Sequence, residues 1–371
     1  MNKCKLGKLL KVKHGFAFKS ENYVEKSEYA LVTLANISST NDFQYNEEKT
    51  TYYGASFPSE FILKTGDLIM PLTEQVMGLF GNSAFVPYIK DTTFVLNQRV
   101  GKVLVDEEKA DKFFIHYLLS TDSVRNQLEY RASGTRQRNI SPEDVYDVEV
   151  FVPDLEEQRR IGKLLYALEQ RVYNNTCIND NLQQVIKSCF DFMFATRKPN
   201  GIISDILQEH SKSTIQVNDS TGVLGDYPFF TSGEAINEWQ SALVDGMNCY
   251  LSTGGNATIK GYYGKAAYST DTWCVCGKGE YSFYLFCYLK SIIRSINDSF
   301  FAGSGLKHLQ KDSLLLVNLY IPSEKELEKF NSIVKPAMET MTTLFLETKK
   351  LKQQRDFLLP LLMNGQATIA E

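Results

Sequence analysis

Two stretches of the chain keep apolar residues at seven-residue intervals over many helical turns. In the first, Ile161, Leu168, Asn175, Leu182 and Cys189 form one row, with Leu164, Ile178, Val185 and Phe192 as a companion row. In the second, Phe330, Ala337, Leu344, Leu351 and Leu358 form the row, with Val334, Met341 and Leu362 beside it. A heptad stripe sustained this long is buried by a partner helix. The pattern therefore predicts two long helices that pair with each other, the alternative being two core-facing helices that pack separately. Asn175 and Arg171 fall at seam positions, as a register-setting polar contact or as a gap in the coil. Pro336 and Pro360 are expected to kink or segment the second helix, because proline has no N–H for the preceding turn.

Elsewhere the apolar runs are short. "DLIMPL", "SAFVPYI", "QRVGKVLV", "NCYLST" and "TWCVCG" predict strands, and "KFFIHYLLS" and "YSFYLFCYLKSIIRSI" predict short helices. "RKPNG" (197–201) stops the first long helix with Pro and Asn-Gly. The layout is thus globular region, helix, globular region, helix.

Both long helices begin alike. "VPDLEEQRR" (152–160) and "IPSEKELEK" (321–329) place Asp154 or Ser323 three residues before Glu157 or Glu326. This is the capping-box pattern, in which the first side chain caps and the glutamate reaches back. The likeness extends upstream, where residues 133–153 align without a gap to 302–322. Gly134 falls on Gly303, Ile140 on Leu309, Val148 on Val317 and Val150 on Leu319. The chain carries an internal repeat. If the helices pair antiparallel, region 198–322 leaves from and returns to one end of the coil, and region 1–153 sits at the other. One polypeptide then imitates a dimer with a pseudo-twofold axis, on helices of about 60 Å.

Composition narrows the function. A chain of 371 residues with 43% hydrophobic and 23% charged residues suits two folded domains. No signal-like segment and no bilayer-length apolar run is visible, so the cytoplasm is the expected location. Seven cysteines, an odd number without a CxxC pair, give neither a disulfide frame nor a zinc site. Cys274 and Cys276 suit opposite faces of a strand, and the four histidines (14, 116, 210, 308) are scattered. No HExxH, GxSxG, DxD or methyltransferase-type "NPPY" motif appears. "GYYGKA" lacks the spacing and the Ser/Thr of a nucleotide loop. A non-enzyme without metal or cofactor is the expectation. A net charge of −4 stands against a free-standing nucleic-acid binder.

"SGTRQRNISPEDV…VPDLEEQRRIGKLL" and, in a drifted form, "AGSGLKHLQKDSL…IPSEKELEKF" resemble the specificity subunit of type I restriction–modification systems. "KLGKLLKVKHGFAF" and "YPFFTSGEAINEW…GGNATIKGYYGKAAYSTDTWCV" are similar to openings and middles of that family's target-recognition domains. The resemblance covers essentially the whole chain. It implies an α+β (mixed) fold, with two α/β target-recognition domains separated by two long antiparallel helices in a coiled coil. The domains would be 1–153 and 198–322, and the helical spacers 154–197 and 323–371. Each recognition domain would read one half of a split site in double-stranded DNA. The helices would fix the gap and dock two DNA adenine methyltransferase subunits, and a restriction and motor subunit would join. Heads on such a spacer can meet sites about 34–36 Å apart, one turn of duplex. No membrane is involved in this reading, and the subunit itself has no catalysis. The negative charge is then tolerable, since partners share the phosphate neutralisation.

Candidate DNA-binding residues follow from that expectation. Near the start they are Lys11, Lys13, Phe16 and Lys19, within a basic run that also contains Lys3, Lys5 and Lys8 and that would equally suit a solvated face. Thr73, Gln75, Gln98 and Arg99 carry groups that can pair with base edges, or are ordinary surface polar residues on strands. Arg131, Gly134, Arg136 and Arg138 surround the first Gly loop as phosphate clamps, and Ser304 and Lys307 hold the equivalent loop, with Lys307 aligned to Arg138. In the second region Thr231, Ser232, Thr253, Gly254, Gly255, Asn256, Thr258, Lys260, Tyr262 and Tyr263 complete the set. The stretch 252–265 is either a backbone approach to phosphate or a Gly-rich hairpin with its aromatics half in the core. Lys349, Lys350, Lys352 and Arg355 are expected to face solvent or a partner. Two rival classes remain: a coiled-coil adaptor with two protein-binding heads, and an enzyme with an unrecognised site in 252–265.

Overall fold

The computed structural model describes residues 1–75, 77–303, 305 and 307–369. The chain divides into two compact units, one of residues 1–171 and 351–371, the other of residues 172–350. Both mix helices and strands.

In the first unit the alternating run Leu10–His14 pairs antiparallel with Val100–Val105, which pairs with Leu68–Pro71 and through it with Ala84–Phe85. Its apolar face (Leu10, Val12, Leu68, Met70, Val103) shares one core with Phe114, Ile115 and Leu118 of the helix Lys112–Leu119. That helix starts because Asp111 accepts the Phe114 amide at 2.8 Å. A second sheet runs Tyr23–Val24, Tyr52–Tyr53, Tyr29–Val32, Thr93–Leu96, with its last pair parallel. Asn2–Lys5 closes the unit against Glu149–Val152.

The second unit repeats this order. Leu207–Glu209, Thr272–Gly277, Met247–Ser252 and Ile259–Tyr263 form the four-stranded antiparallel sheet. Ile236–Trp239, Tyr227–Phe230 and Ala267–Tyr268 form the sheet whose last pair is parallel. Gly201–Ile202 closes against Asn318–Leu319. The repeat legible in 133–153 and 302–322 is therefore one part of a duplicated topology.

The long helices are Leu155–Phe194 and Glu324–Met363, 40 residues each. Within the first unit, Glu157 accepts the amide of Ile369, and Ile161 and Leu165 share a core with Leu362 and Met363. Within the second, Asn175 donates to Glu347 at 3.1 Å and Thr348 at 3.3 Å, and Arg197 pairs with Glu326 at 3.2 Å. In each unit the two helical segments run antiparallel. Asn175 is 2% exposed, so the seam polar residue is a contact rather than a gap.

Three expectations about these helices change. The helix Glu324–Met363 runs through Pro336 and Pro360 without a break in its secondary structure. A mid-helix proline costs ~3 kcal/mol, and the burial of Val334, Ala337 and Met338 around Pro336 offsets that loss. The companion row packs inward only at Leu164, against the first unit's core; Ile178, Val185 and Phe192 are 45%, 50% and 90% exposed. Ile186, Phe190 and Phe194 turn inward instead, and residues one position away lie ~100° round the helix. Finally, only the second capping box closes. The Ser323 amide and hydroxyl donate to Glu326 at 3.0 and 2.8 Å. Asp154 caps the Glu157 amide at 2.9 Å, but the Glu157 carboxylate is spent on Arg160 and Ile369.

Candidate nucleic-acid interface

In the first unit three candidate segments meet at Leu72. Its amide donates to the carbonyl of Arg99 at 2.9 Å, and its carbonyl accepts the amide of Ile140 at 3.0 Å. The turn Asn97–Val100 thereby presents Gln98 and Arg99, both exposed, and the Gln98 amide binds the carbonyl of Phe16 at 3.0 Å. The Gly loop closes by paired backbone bonds between Ser133 and Asn139, 3.0 and 2.8 Å. Gly134 makes the reversal at φ +109°, where a Cβ would stand 2.2 Å from the Gln137 carbonyl. Only glycine fits there. The strand Arg138–Asn139 lies against Thr73–Glu74, with Arg138 opposite Glu74 and Asn139 opposite Thr73. Gln75 and Arg136 are exposed beside it.

Several candidates in this unit are already engaged. The buried Thr73 hydroxyl donates to Asn139 at 2.8 Å. Arg138 lies 2.9 Å from the Glu74 carboxylate and donates to the Glu129 carbonyl at 2.6 Å. Arg131 donates to the carbonyls of Gln127 and Asp147, finishing its own helix. Lys13 binds Glu60 at 2.9 Å and sits over Phe61, and Lys11 sits over Tyr146. Phe16 packs on Phe18 and Phe61. Lys19 forms an open pair with Glu21 at 3.8 Å. The N-terminal run is likewise matched by acids: Lys3 pairs with Glu149 and Lys5 with Asp147. Such exposed pairs contribute little to stability.

In the second unit, 252–265 is a hairpin. Met247–Ser252 and Ile259–Tyr263 pair, and the Ser252 hydroxyl and Thr258 amide tie its tip. Gly254 bridges to His308, the Gly255 amide donates to the Lys307 carbonyl at 3.0 Å, and the Leu309 amide donates to Thr253. This reproduces the first unit's contact between a strand end and a Gly loop. Asn256 and Lys307 are exposed. Thr253 and Thr258 use their hydroxyls on the carbonyls of Asp271 and Ser232. Thr231 is buried and donates to Ala235. Lys260 donates to the carbonyls of Thr231, Gly233 and Ala235, and burial lowers its pKa. Tyr262 is 7% exposed against Phe230 and Phe345, and burial pushes its phenol up to about 12. Tyr263 packs on Phe283. Ser304 lies outside the described residues. Lys349, expected to face solvent or a partner, instead pairs with Glu238 at 2.9 Å and donates to Gly225.

Two residues absent from the sequence reading enter here. Glu74 anchors Arg138 and also accepts the amides of Leu79 and Phe80 at 3.0 and 3.3 Å. Tyr130 stands 89% exposed beside Glu129. Neither carries a local motif, and only the strand register finds the first. Among the described residues no cluster of three or more His, Cys, Asp or Glu is placed to hold a metal, and no helix is long and apolar enough to cross a membrane.

Comparison with known proteins agrees with this architecture. The model of the type I restriction modification DNA specificity domain matches residues 1–185. The type I restriction enzyme MjaVIII specificity subunit of Methanocaldococcus jannaschii is 28% identical over 30% of this chain and 26% of its own length. The EcoBI specificity subunit of Escherichia coli is 24% identical over 47% of this chain and 34% of its own length. The chain thus matches about a quarter to a third of the length of these relatives. The crystal structure of the type I restriction-modification system S subunit from M. genitalium has a similar fold, with a TM-score of 0.69 at 16% identity over 98% of this chain and 96% of that one. The chain belongs to the type I restriction–modification specificity-subunit family.

Proposed function

We propose that this protein is the DNA-reading subunit of a type I restriction–modification complex, without catalysis of its own. Its two target-recognition domains, 1–153 and 198–322, each read one half of a bipartite duplex site. The helical spacers 154–197 and 323–371 set the gap and receive two adenine methyltransferase subunits, and a restriction and motor subunit joins the assembly. The observation that carries this reading is the duplicated topology, in which each unit sets a Gly loop against a strand end and leaves polar side chains exposed there. Gln75, Gln98, Arg99 and Arg136 in the first unit, and Asn256 and Lys307 in the second, are the groups free to meet bases or phosphates. The outward row Ile178, Val185 and Phe192 offers an apolar helix face to a partner.

Co-expression with a cognate methyltransferase subunit in a methylation-free host, followed by single-molecule mapping of modified adenines, tests the proposal. A split motif with a constant gap is expected. A stable complex that modifies no motif contradicts the reading role, and failure to form any complex favours an adaptor.

A further inference from the structure

We infer that the aligned cations Arg138 and Lys307 have different tasks on DNA: Arg138 is a positioning residue that fixes the reading segments of the first unit, while Lys307 meets a phosphate directly. This deepens the DNA-reading role proposed above and rests on it.

The strand register makes the two positions comparable. Arg138 stands opposite Glu74 and Asn139 opposite Thr73. In the second unit His308 stands opposite Gly254, and Lys307 meets Gly255. Gly255 therefore occupies the place of Glu74. Glu74 is 1% exposed, and its carboxylate holds Arg138 on one side and the Leu79 and Phe80 amides on the other. Arg138 adds a bond to the Glu129 carbonyl and lies over the Phe80 ring. A guanidinium held in this way reaches DNA only by abandoning a buried carboxylate, which is strongly unfavourable. What the pair does is tie two strands together, so that Gln75 just after one and Arg136 just before the other keep a fixed spacing. Fixed spacing is what bidentate reading of a base edge requires.

In the second unit that carboxylate is missing. Gly255 sits at φ +78°, a Cβ there would meet nothing within 4 Å, and Lys307 is exposed with no ion pair among the described residues. Open space beside an unneutralised ammonium suits a phosphate, which a lysine meets as a point charge.

Selection of the full-length chain on a duplex library with a randomised centre, followed by salt titration of binding, separates the two tasks. Lys307→Gln should weaken binding to every sequence alike and lower the salt slope by about one, with both motif halves retained. Arg138→Gln should blur one motif half and leave the salt slope unchanged. The pair Glu74→Gln with Arg138→Gln, which leaves no uncompensated charge, should do the same, while the intact second half shows that each variant is folded. Arg138→Lys, still able to pair with Glu74, should recover the blurred half. If the Arg138 variants keep both halves and lose salt slope, or if Lys307→Gln erases a half, the division of tasks is wrong. A wild-type chain that enriches no motif overturns the DNA-reading role itself.

Discussion

Arg138 and Lys307 occupy the same place in two copies of one loop, yet the surroundings of the two cations are opposite. The first is 19% exposed and matched to a carboxylate that is itself 1% exposed. The second is exposed, and the residue across from it has no side chain. The backbone frame is kept while the charge is redistributed. A repeat thus conserves the geometry that builds a loop more strictly than the chemistry the loop presents. Under the proposed function, two units with the same topology are then free to recognise different half-sites.

The largest expected effect separates the cations by stability. Arg138→Met strands the buried Glu74 charge and should cost about 3–5 kcal/mol, whereas Lys307→Met should stay within about 0.5 kcal/mol. Urea unfolding of both variants measures the difference, and equal losses would break the comparison. Next in size is Gly255→Asp, which sets a carboxylate beside Lys307 in a left-handed backbone that aspartate tolerates at about 1 kcal/mol. Chemical denaturation should show that modest loss, while the new carboxylate repels DNA from the neighbouring exposed Asn256 as well as from Lys307, so that one motif half becomes degenerate and helix-mediated assembly survives.

A comparable contrast holds at the helix starts. Asp154→Ala and Ser323→Ala should each cost about 1 kcal/mol, read by thermal unfolding. The smaller effect is in pH. Glu326 is held below the usual carboxylate range by the Ser323 amide, then by the Ser323 and Tyr320 hydroxyls. Its contribution is therefore present above the ordinary glutamate value and lost as pH falls through the lowered one. Glu326→Gln should flatten the acid side of the stability profile without changing the neutral side's slope, and an unaltered acid limb would contradict that account.

Much of the frame was legible because it depends on periodicity. The long helices, the strands around Leu68, Val100, Met247 and Thr272, and the two Gly loops all announce themselves in apolar spacing or glycine placement. On the first long helix the row Ile161, Asn175, Leu182 and Cys189 was legible as inward-facing, but the companion row beside it was not. Ile178, Val185 and Phe192 are as apolar as Ile186, Phe190 and Phe194, and only tertiary packing chooses between rows. The candidate site was legible as segments rather than as atoms. Arg138, Lys260 and Tyr262 have the composition of ligand contacts, yet each is consumed by a partner distant in sequence: Glu74, the 231–235 carbonyls, and Phe345. Glu74 had no signal at all, since its role exists only once two strands are in register.

The most direct test of two heads reading two halves is the modification map of the Gly255→Asp variant beside that of the wild type, each assembled with the methyltransferase subunit. The account predicts a wild-type split motif and a variant in which one half becomes degenerate while the other half and the gap persist. A contiguous motif, or simultaneous loss of both halves from a folded and assembled variant, would contradict it.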